Sequence, residues 1–283
     1  MVEIIATALK ETVINSVYLL AFVFFAFLTI EFYRLFFRLG HSETENLIRG
    51  ALIFALAVAT SPLYTGESYG LLLDLFYIGI YSLIALFLMA LGHVINDYVI
   101  FHKVKNLLEI KNGNLSLAVV ETANLIATGI VVETVINNYF SPEIDQVGLI
   151  LKLLGIFFLV QLLLTFSIYL YERLYELKGI NLRELIYKGN ISAGINLSSL
   201  YIITSFLITS VFSPEKSLTA MVMLTLIYFI FSVILLLIFK ILIDLLILRE
   251  TTIKRIIQDD NYFRALFIEM AMISVVFIYQ FIA

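Results

Sequence analysis

An all-α, polytopic membrane protein is the fold class this sequence predicts, with eight transmembrane helices arranged as two parallel four-helix repeats. Three observations predict it: composition, eight apolar runs, and a signature that recurs four times. Hydrophobic residues make up 61% of 283 positions and charged residues 14%. The mean hydropathy is +1.02, far above the balance of a water-soluble domain. Cys is absent, so there is no disulfide framework, thiolate metal site or cysteine nucleophile, and the redox compartment is not legible.

Apolar runs long enough to cross about 30 Å of hydrocarbon fall near 13–36, 47–64, 70–101, 114–138, 147–176, 190–212, 217–248 and 262–282. The first is preceded by Glu3, Lys10 and Glu11 and has no small-residue cleavage site before Arg34, so it reads as a retained helix and not a signal peptide. Spans 3, 5 and 7 run to about 45 Å at 1.5 Å per residue, and so must tilt or project from the bilayer.

The recurring signature is an Asn that opens a span, with a small residue four places on. Asn46, Asn114, Asn190 and Asn261 are followed by Gly50, Ala118, Gly194 and Ala265, and the Asn-to-Asn spacings are 68, 76 and 71 residues. An acid closes the preceding span fifteen to eighteen residues earlier, at Glu31, Asp97, Glu172 and Asp244. Each unit is therefore a long span, a loop, the Asn and a shorter returning span. Two units make a half, which divides the chain into a first four-helix repeat at 1–141 and a second at 142–283. An even number of spans per half makes the halves parallel repeats about an axis along the membrane normal.

Orientation follows from the bases. Arg34, Arg38 and Arg49, then Lys103, Lys105 and Lys111, then Arg173, Lys178, Arg183 and Lys188, then Arg249, Lys254, Arg255 and Arg264 make fourteen of the 18 bases, all in loops on one side. The positive-inside rule places those loops in the cytoplasm and both termini outside, as expected of a multi-pass protein of the cell (plasma or inner) membrane. No loop is long enough for a soluble domain. A net charge of −4 with scattered bases gives a nucleic-acid partner no support.

The segments "LIYKGNISAGINLSSLYIITSFL" and "LLEIKNGNLSLAVVETANLIATGIVV" resemble the Asn-then-small-residue helix start in small inner-membrane proteins of the YjfL type, a "domain of unknown function" (350) family. The chain looks like two such domains in tandem. "ENLIRGALIFALAVATSPL" in the first unit departs by lacking the Gly-Asn pair. The resemblance implies a multi-pass membrane location and supplies no catalytic residues.

Each polar feature carries two readings. Asn46, Asn114, Asn190 and Asn261 read as helix N-caps, with the small residues permitting close helix approach; alternatively four capped N-termini surround a cytoplasmic anion. Glu31, Asp97, Glu172 and Asp244 pair with neighbours such as Arg34, Arg173 or Lys240 at the headgroup level, or form the rim of a cation path. Glu121 and Glu269 lie seven and eight residues beyond their Asn, about 10–12 Å into the bilayer. Such carboxylates mark an ion or proton path or are held by internal hydrogen bonds. Asn124 continues the Glu121 face, and Asn196 adds an amide at similar depth.

Enzymatic motifs are lacking, so no enzyme, cofactor or metal site is expected. His93 and Asp97 are spaced i, i+4 but make two ligands only, and His41 and His102 join no metal pattern. Membrane lipids, a homo-oligomer and a peripheral cytoplasmic partner engaged by the basic loops are the expected partners. The function expected is transport or a channel-like path through the carboxylates, with a non-transporting scaffold as the alternative. If the basic loops are cytoplasmic, cysteines introduced at Ser68 and Ser141 are modified by an impermeant thiol reagent in intact cells and one at Lys105 is not. Modification at Lys105 would reverse the orientation.

Overall fold

The computed structural model describes residues 2–65, 68–101, 106–141, 145–213, 218–248 and 251–282. His102, Lys103, Lys105, Pro142, Lys216 and Arg249 lie outside the described residues. The described chain is helical, in the order α1 (Val2–Phe36), α2 (Glu43–Thr65), α3 (Leu71–Ile95), α4 (Asn106–Lys111), α5 (Leu115–Tyr139), α6 (Gln146–Leu177), α7 (Leu182–Tyr187), α8 (Ile191–Thr209), α9 (Leu218–Leu242), α10 (Ile253–Gln258) and α11 (Tyr262–Ile282). α3 and α9 each continue into a π-helical turn, Asn96–Ile100 and Ile243–Ile247. Seven helices among the described residues are long and apolar enough to cross a membrane: α1 from Thr12, α2, α3 with its π turn, α5, α6, α8 and α9 with most of its own. α11 adds 21 residues packed along α8.

The returning helices form a row in which α2 packs on α5, α5 on α8 and α8 on α11. The long helices flank it, α3 and α6 against α5 and α6 and α9 against α8. Burial follows this order: 83% of the apolar window of α8 and 78% of that of α5 is covered, against 17% for α1. Glycine and alanine set the spacing, since membrane helices gain nothing from hiding apolar surface from lipid and must gain from close contact. A Cβ on Gly129 would stand 2.6 Å from the Ala55 carbonyl oxygen, and one on Gly194 2.7 Å from that of Ser116. Gly50, the equivalent small residue of the first unit, faces open space instead.

The sequence did not predict the short helices α4, α7 and α10, which explain the Asn signature. Each has six residues, too few to show a period against the apolar background. Each ends at a residue with left-handed backbone: Gly113 (φ 94°), Gly189 (φ 83°) and Asp260 (φ 50°). Glycine adopts this conformation freely and aspartate tolerates it. The next residue is the Asn, whose backbone N–H returns to the short helix, to Glu109, Leu185 and Ile256 respectively, at 2.9, 2.9 and 3.0 Å. Its side-chain oxygen then caps the next helix by accepting from Leu117, Ala193 and Arg264 N–H at 3.0, 2.7 and 3.2 Å. One residue thus closes one helix and opens the next.

The Asn amide groups also tie successive units together. Asn114 Nδ2 donates to the Ile186 and Tyr187 carbonyls at 3.1 and 3.2 Å, and Asn190 Nδ2 donates to Ile257 at 2.8 Å. In the first unit Thr44 Oγ1 does the same to Ile110 at 2.6 Å. Ile110, Ile186 and Ile257 each stand four residues before their unit's Asn. These three carbonyls already accept the Gly113, Gly189 and Asp260 N–H groups of their own units at 3.0, 3.0 and 3.2 Å, and the preceding unit donates a second bond to each.

Asn46 is the exception and corrects the sequence reading. It lies inside α2 and donates its side chain to the His41 carbonyl at 3.3 Å. Ser42 starts the helix in a capping box with Glu45, whose Oε2 accepts from the Ser42 N–H and hydroxyl at 3.0 and 2.7 Å, while Glu45 N–H donates to Ser42 Oγ at 3.3 Å. The Ser-x-x-Glu pattern opens the helix before Asn46 is reached.

Because Gly194 abuts the Ser116 backbone, Gly194→Ala lowers stability by about 1–3 kcal/mol through overpacking, whereas Gly50→Ala is tolerated. The measurement is thermal unfolding in detergent; equal melting of Gly194→Ala and wild type would contradict this packing.

Candidate functional site

The polar side chains deep in the helices gather into two separate networks, one on each side of α8. The first centres on Glu121 of α5, 1% exposed. Its Oε1 lies 2.7 Å from His93 Nδ1 of α3 and its Oε2 accepts from Asn96 Nδ2, the first residue of the π turn. Asn124, one turn along α5, donates to Oε1 at 3.4 Å. Tyr201 of α8 donates to Asn96 Oδ1 at 2.6 Å, which fixes the amide so that its nitrogen faces the carboxylate. On its other side His93 Nε2 stands 3.8 Å from Asp97 Oδ2, and the Asp97 side chain is 21% exposed. Phe37 and Tyr33 set their rings edgewise against the imidazole. A file of ionisable groups, Asp97, His93 and Glu121, thus leads from a partly open position to a buried one.

Gly92 lets this network extend. A Cβ there would stand 3.1 Å from Thr128 Oγ1 and 3.4 Å from Gln161 Nε2, so the missing side chain leaves room for polar groups of α5 and α6 to meet. Thr128 bonds the Asn124 carbonyl at 3.0 Å and receives Gln161 Nε2 at 3.3 Å. The network is not saturated. Among the described residues, Asp97 Oδ1, Asn124 Oδ1 and Gln161 Oε1 are buried acceptors with no hydrogen-bond partner, and His93 Nε2 is a nitrogen in the same state.

The second network centres on Glu269 of α11, 2% exposed. Lys240 of α9 donates to its Oε1 at 2.9 Å, Asn196 Nδ2 to the same oxygen at 2.5 Å, and Ser199 Oγ to Oε2 at 2.5 Å. Lys240 also donates to the Tyr171 hydroxyl, which donates to Asn196 Oδ1 at 2.7 Å. Lys240, Tyr171, Asn196 and Glu269 therefore form a closed ring joining α9, α6, α8 and α11.

The networks are equivalent in register. His93 and Lys240 each precede their unit's Asn by 21 residues and Asp97 and Asp244 by 17, and the two π turns cover the same positions. A titratable imidazole in the first half stands where the second half has an ammonium.

The residues singled out by sequence sort as follows. Glu121 is brought to Asn124, and Glu269 to Asn196, but the two carboxylates belong to different networks. The acids at Glu31, Asp97, Glu172 and Asp244 have four different partners. Glu31 pairs with Arg34 at 2.6 Å, Asp97 faces His93, and Glu172 takes a two-pronged contact from Arg183 of α7 at 3.0 and 2.5 Å. Asp244 accepts the Ile253 N–H at 2.7 Å, at the start of α10. Lys240 pairs with Glu269 and not with Asp244, and Arg173 pairs with Glu176. Sequence reasoning missed His93, Lys240, Asn96, Tyr171 and Tyr201 as network members. The shared register of His93 and Lys240 was the available signal.

The model of the Domain of Unknown Function (DUF350) family matches this chain twice in tandem, over residues 70–149 and 144–281. The chain belongs to the DUF350 family. The tandem pair expected from the Asn-centred segments is borne out. The matches begin at residue 70, so α1 and α2, where the Gly-Asn pair is lacking, lie before them. A UPF0719 transmembrane protein of Aquifex aeolicus (strain VF5) is 25% identical over 270 residues, covering 93% of this chain and 97% of that protein. No solved structure matches. The DUF350 chain described here is a multi-pass membrane protein, and each network draws on both family matches or lies within the second: Glu121 and His93 with Tyr201, Lys240 with Glu269.

Lys240 and Glu269 are charged partners in an apolar bundle, so removing one leaves the other uncompensated. Lys240→Met is expected to cost about 3–5 kcal/mol of stability, and Lys240→Met/Glu269→Leu to recover most of it. Thermal unfolding in detergent measures both; a single variant as stable as wild type would remove the ion pair from the structural account.

Proposed function

We propose that this DUF350 protein is an eight-span protein of the cell membrane whose first half carries protons between its basic face and the bilayer interior. The observation that carries this reading is the file Asp97, His93, Glu121. Its outer member is partly exposed, its inner member is fully buried, and the imidazole between them has one nitrogen toward each carboxylate. Proton transfer needs this order of groups, each exchanging with the next, and intramembrane ionisable side chains characteristically mark such paths. The unpartnered oxygens of Asn124 and Gln161 extend polar character beyond Glu121, along α5 and toward α6.

In this reading the second half is the fixed counterpart. Its ring is closed by hydrogen bonds, and Glu269 is held by Lys240, Asn196 and Ser199. The duplication then separates two roles that a single four-helix unit would combine. The two halves sit as parallel repeats, both termini face outward, the four basic loops face the cytoplasm where a peripheral partner can reach them, and the chain assembles as a homo-oligomer. The positive-inside bias supports the orientation.

A scaffold without transport is the second reading. Exposures of 1% and 2% at Glu121 and Glu269, with every helix of the row tied to the next, favour it. Proton flux separates the two. Wild type reconstituted in proteoliposomes with a trapped pH-sensitive dye is expected to dissipate an imposed pH gradient faster than empty liposomes. Glu121→Gln and His93→Leu reduce that rate by about tenfold or more, and Lys240→Met/Glu269→Leu retains it. Wild type indistinguishable from empty liposomes would reject the proton path in favour of the scaffold.

A further inference from the structure

We propose that the cleft between α3 and α6 is a binding site for an anionic phospholipid, its acyl chain in the cleft and its phosphate at Arg183. The cleft has a volume of about 820 Å³, within the range of roughly 300–1,000 Å³ typical of built ligand sites. Its walls are apolar: Val99 beyond the end of α3, and Phe158, Leu162 and Phe166 along α6. It exists because α3 and α6 both lean on α5, while their direct contact is slight. An acyl chain matches such a wall better than any polar solute.

Two polar features separate this cleft from an ordinary lipid-facing surface. Arg183 closes one end. Its Nε and Nη2 bond Glu172, and its guanidinium stands 5.9 Å from the Phe101 ring centre, so the group is held in place with Nη1 outside that pair. Guanidinium offers five N–H donors in a fixed plane and suits phosphate. Arg173, one turn beyond Tyr169 of the cleft on α6, is paired with Glu176 at 2.8 Å, which leaves Arg183 as the cleft's own cation. Basic pockets between membrane helices recognise anionic headgroups in this way. At the floor lies Gln161, 3% exposed, whose Oε1 has no hydrogen-bond partner although its amide nitrogen is engaged by Thr128. Gln161 stands eleven residues before Glu172 on α6, about 16 Å along the helix, so it marks the acyl-chain end of the cleft, away from the headgroup. The site stands apart from the proton path: it shares Gln161 with the first network, but lipid binding requires neither His93 nor Glu121.

The test is lipid binding to the full chain in detergent, read by native mass spectrometry and by displacement of a fluorescent phosphatidylglycerol. Phosphatidylglycerol is expected to bind more tightly than phosphatidylcholine. Leu162→Trp, which fills the cleft from a lipid-facing position, weakens phosphatidylglycerol by about tenfold or more, a difference of 1.4 kcal/mol. Glu172→Gln/Arg183→Gln, in which neither charge is left unpaired, removes the preference for phosphatidylglycerol while binding through the chain persists. Inorganic phosphate at millimolar concentration is the headgroup-only arm and is expected not to compete. Unchanged phosphatidylglycerol binding in Leu162→Trp, a preference surviving the double variant, or displacement by phosphate alone would each overturn the proposal. His93→Leu serves as the control for independence: it is expected to bind lipid as wild type does whether or not it conducts protons.

Discussion

The structure depends on the bonds that side chains of one unit make to backbone carbonyls at the end of the next unit's short helix. Helices α4, α7 and α10 finish where the chain must turn back into the bundle, and the left-handed residues Gly113, Gly189 and Asp260 return their N–H groups to Ile110, Ile186 and Ile257. A carbonyl oxygen has a second lone pair, and in an apolar bundle no water competes for it. The unit before supplies the second donor: Thr44 reaches Ile110, Asn114 reaches Ile186 and Asn190 reaches Ile257. Each bond forces the start of one returning helix against the end of the next unit's loop, and close approach at Gly129 and Gly194 follows from that alignment. The row from α2 to α11 is therefore assembled through side-chain bonds to the main chain as much as through side-chain packing.

Register inherited from duplication carries different chemistry in the two halves. The π turns at Asn96 and Ile243 occupy equivalent positions, and the cation site one turn before them holds His93 in one case and Lys240 in the other. The lysine ring is complete and acts as a clamp across four helices. The histidine file is incomplete, retains open acceptors and reaches a partly exposed carboxylate. π turns inside longer helices are frequent at functional sites because they re-aim the side chains that follow. Among the described residues, only the first belongs to a network with unsatisfied groups. The α3/α6 cleft opens beside this half, with Gln161 contributing to both.

Much of the architecture was legible from the sequence. Hydropathy located the membrane helices because each is apolar over the length needed to cross the hydrocarbon, whether it faces lipid or, like α5 and α8, mostly its neighbours. The Asn signature located the helix starts, since capping is a local property read from one residue and the next few. Asn114, Asn190 and Asn261 cap as expected. Asn46 does not, because Ser42 and Glu45 provide a stronger local start. The short helices escaped detection, having only six residues each and no distinct period.

The sequence alone determined that this chain is helical, lies in a membrane, repeats a unit and keeps carboxylates at Glu121 and Glu269 in its apolar spans. These are consequences of local composition and periodicity. Tertiary structure alone decided the partners: Glu121 with His93 and Asn96, Glu269 with Lys240 and Ser199, and Arg183 with Glu172 at the mouth of the α3/α6 cleft. Those residues are between 11 and 70 positions apart, or farther where α8 sends Tyr201 to Asn96. Their meeting is set by which helix stands beside which, a choice made by the bonds between units and the glycine contacts and not by any pattern within one helix.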